Sequence, residues 1–121
     1  MNEDAAALRI LADCRGRIDV LDLQILELVN QRAMIVEEIG RIKQRLQMPI
    51  YEPRREDQVY ENVTGHNRGP LSPGAVRRVF ERIIDEMRIV QRERMEQNEF
   101  GTDSCSGSAN RDPNLTPPTE S

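Results

Sequence analysis

The sequence is poor in aromatic side chains and in the residues that build most catalytic or metal sites. Aromatic residues make up 3% of the 121 residues, there is no Trp, and His66 is the only histidine. Cys14 and Cys105 match no metal-ligand spacing, so we expect reduced thiols and no disulfide framework. Since only 37% of the residues are hydrophobic, one copy of the chain is expected to bury a modest core and to need a partner.

Charge and hydropathy argue against several classes of partner. The formal net charge is −4, whereas a nucleic-acid-binding domain usually has a basic surface. The first residues, MNEDAAALRILADC, are acidic and contain no long apolar run, so we expect no signal peptide, no membrane span and a cytoplasmic location. The sequence contains no Gly-rich phosphate loop and no metal motif, so we expect no bound metal.

Helical periodicity predicts an all-α fold. Residues 5–46 contain no Pro, and their apolar residues recur at helical spacing. At 1.5 Å per residue this first helix spans about 60 Å, which indicates a coiled-coil-like contact with another chain. Pro53 opens a short second helix that runs to about Thr64. No strand pattern or internal repeat is present in the sequence.

The third helix is predicted to begin with Ser72 as its N-cap and Pro73 as its first residue, and to run to about Gln97. From residue 98 onward the chain is dense in Ser, Thr, Asn, Pro and Gly. We therefore expect a helical domain over residues 1–97 and a disordered tail over residues 98–121.

Three polar side chains lie on faces that these helices should bury. Arg32 and Lys43 are within about 20° of one another on the first helix, and Gln91 is within about 20° of Phe80 on the third. A buried charge is costly unless it is paired, so the cations need an acidic protein partner or a bound anion. A single such residue more often pairs across a dimer seam or reaches water. Three donors together indicate a pocket for a small dianion, because none acts as a base at pH 7.

The second helix adds charged residues at its start. Glu52 has an ordinary explanation there, because an acidic residue is favourable near a helix N-terminus. Arg55 is unfavourable in the same field, which predicts a carboxylate ligand or an acidic neighbour beside it. Glu56 shares a face with Tyr60 and is a candidate acceptor for a ligand hydroxyl.

These residues resemble the all-helical chorismate mutases of the shikimate pathway. In that family the first helix carries Arg, Asp, Arg and Lys at successive intervals of seven, ten and eleven residues. An acidic loop residue, an Arg-Glu pair and a third-helix Gln follow. The resemblance covers about residues 8–97. The matching positions are Arg15, Asp22, Arg32, Lys43, Glu52, Arg55, Glu56 and Gln91.

The resemblance implies an intertwined homodimer of three-helix protomers with two active sites. It implies that chorismate, a dianion, rearranges to prephenate with no cofactor. Arg15 lies roughly 100° around the first helix from Arg32, which fits a role in the partner's site. By analogy, the carboxylates of chorismate are bound by Arg32 and the partner's Arg15, with support from Arg55.

The remaining roles follow from the same analogy. Lys43 and Gln91 would donate hydrogen bonds to the ether oxygen of the breaking bond. Glu52 and Glu56 would position the ring hydroxyl. Met87 stands where many members have a substrate-contacting Ser, and a thioether cannot donate that hydrogen bond. This predicts weaker binding or a slightly different pose. Glu52, where Asp is common, is expected to be tolerated.

Two other functions stay open at this point. An isochorismate-pyruvate lyase would share the fold and the cationic pocket, although the Arg55-Glu56 pair favours the mutase. A non-catalytic helical dimer would serve as a regulatory or interaction module. As given, the chain carries no second catalytic domain and is expected to be monofunctional, and docking onto another pathway enzyme stays open.

Overall fold

The computed structural model describes residues 2–105, and the side chains of residues 2–97, as three helices with no strand in that range. The helices are α1, Asn2–Leu46, α2, Pro53–His66, and α3, Pro73–Cys105. The predicted all-α fold with one long, one short and one medium helix is confirmed for this part of the chain. By its contacts the chain divides between Arg32 and Ala33 into two units.

The first unit is a single helical stretch, the N-terminal part of α1. The large apolar side chains exposed between Leu8 and Leu28 show 42–68% of their surface to solvent. A folded protein seldom leaves that much contiguous apolar surface in water, because its burial is the main favourable contribution to folding. This stretch therefore lacks a core of its own, in keeping with the expectation that one chain buries only a modest core.

The second unit contains the buried core. Its apolar members come from all three helices and are each at most 8% exposed: Val36, Tyr60, Val76, Ile84 and Met87. Two polar side chains, Lys43 and Gln91, are buried in the same unit at 4% and 8% exposure. The apolar face predicted for α3 is thus the buried one, and it carries Gln91 as predicted.

The C-terminus of α1 forms a Schellman motif. The Met48 N–H donates to the carbonyl oxygen of Lys43 at 2.8 Å, and the Gln47 N–H donates to that of Gln44 at 3.2 Å. Gln47 has φ 59°, in the left-handed region that glycine adopts most easily. The chain therefore turns sharply after Leu46 and starts the loop that leads to α2.

Replacement of Gln47 by glycine is expected to stabilise the protein by about 1 kcal/mol, because glycine removes the steric cost of a Cβ in the left-handed region. The measurement is the free energy of unfolding in urea. Gln47→Ala is the matched control, since it keeps the Cβ and should give no gain. Equal stability of Gln47→Gly and Gln47→Ala would contradict this backbone assignment.

The N-termini of α2 and α3 follow the sequence signals. Pro53 lies in the first turn of α2, as predicted, and Glu52 occupies the N-cap position without a side-chain capping hydrogen bond. At α3 the Ser72 Oγ accepts a hydrogen bond from the Ala75 N–H at 3.1 Å, which confirms the predicted N-cap.

Two helices extend beyond their predicted ends. α2 continues to His66 rather than Thr64, and α3 continues to Cys105 rather than Gln97. The sequence offers no Pro between Pro73 and Pro113 to stop α3. The expected tail therefore does not start at a helix end, and its residues 106–121 lie outside the described part of the chain. No described helix has the length and apolar character needed to cross a bilayer.

Candidate active site

Lys43 is the buried cation of the second unit, and its ammonium group has an acceptor for each of its three N–H donors. The Nζ atom lies 2.9 Å from Glu52 Oε1, 3.0 Å from the carbonyl oxygen of Ile50 and 3.3 Å from Gln91 Oε1. A buried charge is tolerated when it is paired and hydrogen-bonded. Of the two outcomes that the sequence left open, an acidic protein partner is thus present, and it is Glu52.

Gln91 meets Lys43 from α3, and this contact fixes how the Gln91 amide is oriented. Because Oε1 accepts the hydrogen bond from Lys43, the Nε2 group is the end of the amide that can donate to another molecule. Gly40 lies at this approach of α1 and α3, which would also accommodate an alanine. A Cβ added at Gly40 would lie 3.6 Å from Gln91 Cγ and 3.7 Å from Gln91 Cα, at ordinary van der Waals distance.

The Glu52 side chain contacts Lys43 rather than capping the helix that follows it. Its backbone carbonyl accepts the first helical hydrogen bond, from the Glu56 N–H at 3.1 Å. Its carboxylate makes no cap and instead pairs with Lys43, with its side chain 39% exposed against 6% for Lys43. The ion pair therefore has one buried end and one end that faces solvent.

Glu56 is held by Arg88, a residue that the sequence analysis did not single out. Arg88 Nε lies 2.9 Å from Glu56 Oε2, and Arg88 Nη2 lies 3.0 Å from Glu56 Oε1. This bidentate pair joins α2 to α3. Hydrogen bonding to Glu56 raises the pKa of Arg88 above its ordinary value, against the opposing effect of burial, so the guanidinium stays charged at any physiological pH.

A sequence signal for Arg88 exists. By the rotation of 100° per residue that places Gln91 on the buried face, Arg88 lies roughly 40° from Ile84 and 60° from Gln91. Arg88 is therefore a second donor near the buried face of α3, beside Gln91. Periodicity alone does not show that its partner is Glu56, because that pairing depends on how α2 lies against α3.

The remaining predicted site residues are Arg55, Met87, Arg15 and Arg32. Arg55 is exposed, and its Nη1 donates to the neutral Gln58 Oε1 at 3.4 Å rather than to an acidic neighbour, so of the two predicted partners the carboxylate ligand stays a prediction. Water solvates an exposed guanidinium, which removes the need for such a neighbour. Met87 is buried at 4% exposure. Arg15 is exposed and Arg32 is half-buried, and both belong to the unit that ends at Arg32.

The second unit therefore brings Gln91 and Glu52 into direct contact with Lys43. It also holds a Glu56-Arg88 pair between α2 and α3. Buried, preorganised donors of this kind stabilise negative charge strongly because little water competes with them. The fold and the site define an all-helical protein with a buried donor site inside its helix packing, a common location for small-molecule sites in helical proteins.

Comparison with known proteins identifies the family within that class. Residues 14–92 match the family model described as chorismate mutase type II. The chain belongs to this family. The resemblance drawn from eight positions in the sequence is confirmed.

Similar proteins agree with this assignment. The chain is 35% identical over 83 residues to the bifunctional chorismate mutase/prephenate dehydratase of Neisseria gonorrhoeae, covering 69% of this chain and 22% of that protein. It is 33% identical over 84 residues to the 4-amino-4-deoxychorismate mutase of Streptomyces pristinaespiralis, covering 68% and 64% respectively. The chain thus spans about a fifth of the bifunctional relative.

A solved structure of a similar protein has the same fold, and the match covers nearly the full length of that protein. The chorismate mutase (form II) structure from Thermus thermophilus superimposes with a TM-score of 0.66 at 32% sequence identity. The match covers 69% of this chain and 94% of that one.

Proposed function

We propose that this chain is a chorismate mutase, which converts chorismate to prephenate in the cytoplasm without a cofactor. The observation that carries the proposal is the buried contact of Lys43 with Gln91, in a chain whose residues 14–92 match the chorismate mutase type II family. Both side chains are hydrogen-bond donors, and neither is a nucleophile activated by a base. That composition suits a reaction in which charge moves but no proton does.

The reaction requires restraint and charge stabilisation rather than acid-base chemistry. One carbon–oxygen bond breaks while one carbon–carbon bond forms in the same step, and negative charge grows on the ether oxygen. A pocket that holds the flexible dianion in its compact reactive shape lowers the entropic part of the barrier. Donors directed at the ether oxygen lower the electrostatic part.

Lys43 and Gln91 are the donors that we assign to the ether oxygen. Gln91 can donate through Nε2 because its Oε1 accepts from Lys43. Lys43 has acceptors for all three N–H groups, and we propose that the N–H of its longest contact, 3.3 Å to Gln91 Oε1, is shared between Gln91 and the ether oxygen as a bifurcated hydrogen bond. Its 2.9 Å contact with Glu52 then keeps the ammonium group in place.

The remaining substrate contacts are assigned by the resemblance. Arg32 and the partner's Arg15 bind the two carboxylates of chorismate, and the exposed guanidinium of Arg55 adds positive charge near them. Glu52 and Glu56 position the ring hydroxyl, whose single O–H donates to Glu56. Met87 contributes an apolar contact where many members donate a hydrogen bond.

We propose that the active protein is an intertwined homodimer. Two observations support the homodimer. The apolar surface of α1 that is exposed between Leu8 and Leu28 would be buried by a second copy. Arg15 lies roughly 100° from Arg32 around that helix. A homodimer with two-fold symmetry would then carry two equivalent sites, each completed by one residue from the partner.

Mixing two inactive variants tests the shared site. Arg15→Ala and Lys43→Ala are each expected to be inactive as homodimers. When they are unfolded and refolded together, each mixed dimer has one site with both residues intact, so activity should return to about a quarter of the wild-type value for statistical pairing. If Arg15 served its own protomer, both sites of every mixed dimer would be defective and no activity would return.

Product identification tests the reaction itself. The purified chain is incubated separately with chorismate, isochorismate and 4-amino-4-deoxychorismate, and the products are separated by chromatography. Prephenate from chorismate is the expected result. Salicylate and pyruvate from isochorismate would favour a lyase, preference for the amino compound would favour the activity named for the Streptomyces relative, and no conversion would favour a binding module.

A further inference from the structure

The ion pair between Glu56 and Arg88 is a bidentate contact of the second unit that joins α2 to α3. Both carboxylate oxygens of Glu56 accept from Arg88, at 2.9 Å and 3.0 Å. The Glu56 side chain is 16% exposed and that of Arg88 is 29% exposed. The guanidinium has two further neighbours: Asp85 Oδ1 at 2.8 Å and the Tyr51 ring, whose centre lies 5.6 Å away.

This contact leaves Glu56 able to accept more hydrogen bonds. Each carboxylate oxygen has two lone pairs, and Arg88 uses one on each oxygen. A second donor can therefore still bind to Glu56. The fork of Arg88 meets the carboxylate with two parallel hydrogen bonds, so the carboxylate plane is fixed as well as its position.

We propose that Arg88 is a positioning and specificity residue: it orients Glu56 and neutralises it, so that Glu56 selects a neutral hydroxyl over a positively charged amino group on the substrate ring. This inference rests on the proposed function, in which Glu56 contacts that ring hydroxyl. It assigns to Arg88 the discrimination between chorismate and its 4-amino analogue.

The selection follows from charge. An alkyl amine is protonated at pH 7, and a lone carboxylate would attract it more strongly than it attracts a hydroxyl. With the guanidinium already bound to Glu56, an incoming ammonium meets a positive charge close to its acceptor, and like charges repel at this range. Asp85 offsets this repulsion weakly, because its side chain is 51% exposed and water screens it. A hydroxyl carries no charge and keeps its hydrogen bond.

The test compares kcat and KM for chorismate and for 4-amino-4-deoxychorismate in three variants. Arg88→Gln removes the charge and is expected to raise the ratio of kcat/KM for the amino compound over that for chorismate at least tenfold. Arg88→Lys keeps the charge and should hold the ratio within twofold of wild type. Arg82→Gln is the matched control on α3, because Arg82 pairs with Glu86 in an exposed contact. It should leave kcat and KM unchanged for both compounds.

Circular dichroism and thermal unfolding of each variant separate specificity from folding. If Arg88→Gln does not fold, Arg88→Met retains the length of the stem without its charge and replaces it in the comparison. A ratio within twofold of wild type in the folded neutral variant would overturn the inference, even if both activities fell, because a purely structural pair would lower both alike. Wild-type protein that converts neither compound would overturn the proposed function, and this inference with it.

Discussion

Lys43→Ala is expected to lower kcat for the rearrangement of chorismate at least about a hundredfold, equivalent to ~3 kcal/mol of lost transition-state stabilisation. The physical reason is that Lys43 is 4% exposed and holds a full positive charge where water cannot replace it. Steady-state kinetics at saturating chorismate give the measurement. The loss should lie in kcat, because negative charge on the ether oxygen grows only as the transition state forms.

Two further variants show that the effect belongs to the charge. Lys43→Met retains much of the stem that packs in the core and should lose as much activity as Lys43→Ala. Arg45→Ala removes an exposed cation from the same last turn of α1 and should leave kcat unchanged. A loss of less than tenfold in a Lys43→Ala protein with its helical content intact would show that the proposed mechanism is wrong.

Gln91→Glu is expected to lower kcat by a comparable factor at pH 8. An ionised carboxylate only accepts hydrogen bonds, so it would place negative charge where the ether oxygen also becomes negative. A protonated carboxyl can donate, and the loss should therefore shrink as the pH falls. In the variant, the neighbouring Lys43 favours the ionised carboxylate. The return of kcat is therefore expected only at acidic pH.

The wild-type protein should behave differently, because a glutamine amide does not titrate. We expect its kcat to show no loss between pH 6 and 8 that is attributable to residue 91. The measurement is kcat for both proteins across this range in a buffer of constant ionic strength. A steep fall in the wild type that is absent from Gln91→Glu would contradict the assigned role.

The sequence predicted the three helices, the starts of α2 and α3, and the two buried donors of the site. Pro53 and the Ser72-Pro73 pair mark helix starts that the structure confirms, because capping is a local interaction. Lys43 and Gln91 could be found because each breaks the apolar periodicity of its own helix. The hydrogen bond between them was not predicted, because periodicity shows that each residue faces a core but not which atoms meet there.

Contacts that depend on how helices pack could not be read from the sequence. The partner of Lys43 is Glu52, which a favourable helix position already explained. The partner of Glu56 is Arg88, which lies on the next helix along the chain and reaches Glu56 only through helix packing. The end of α3 was also missed, because the polar composition after residue 97 resembles a tail, although Pro113 is the first residue there that must break a helix.

A crystal structure of the protein with a rigid bicyclic dicarboxylate that mimics the transition state of the chorismate rearrangement would show whether Lys43 and Gln91 contact the ether oxygen. We predict that Lys43 Nζ and Gln91 Nε2 both lie at hydrogen-bond distance, roughly 2.7–3.2 Å, from the ether oxygen of that compound. An ether oxygen that contacts neither atom, with the compound bound in the same pocket, would contradict the account.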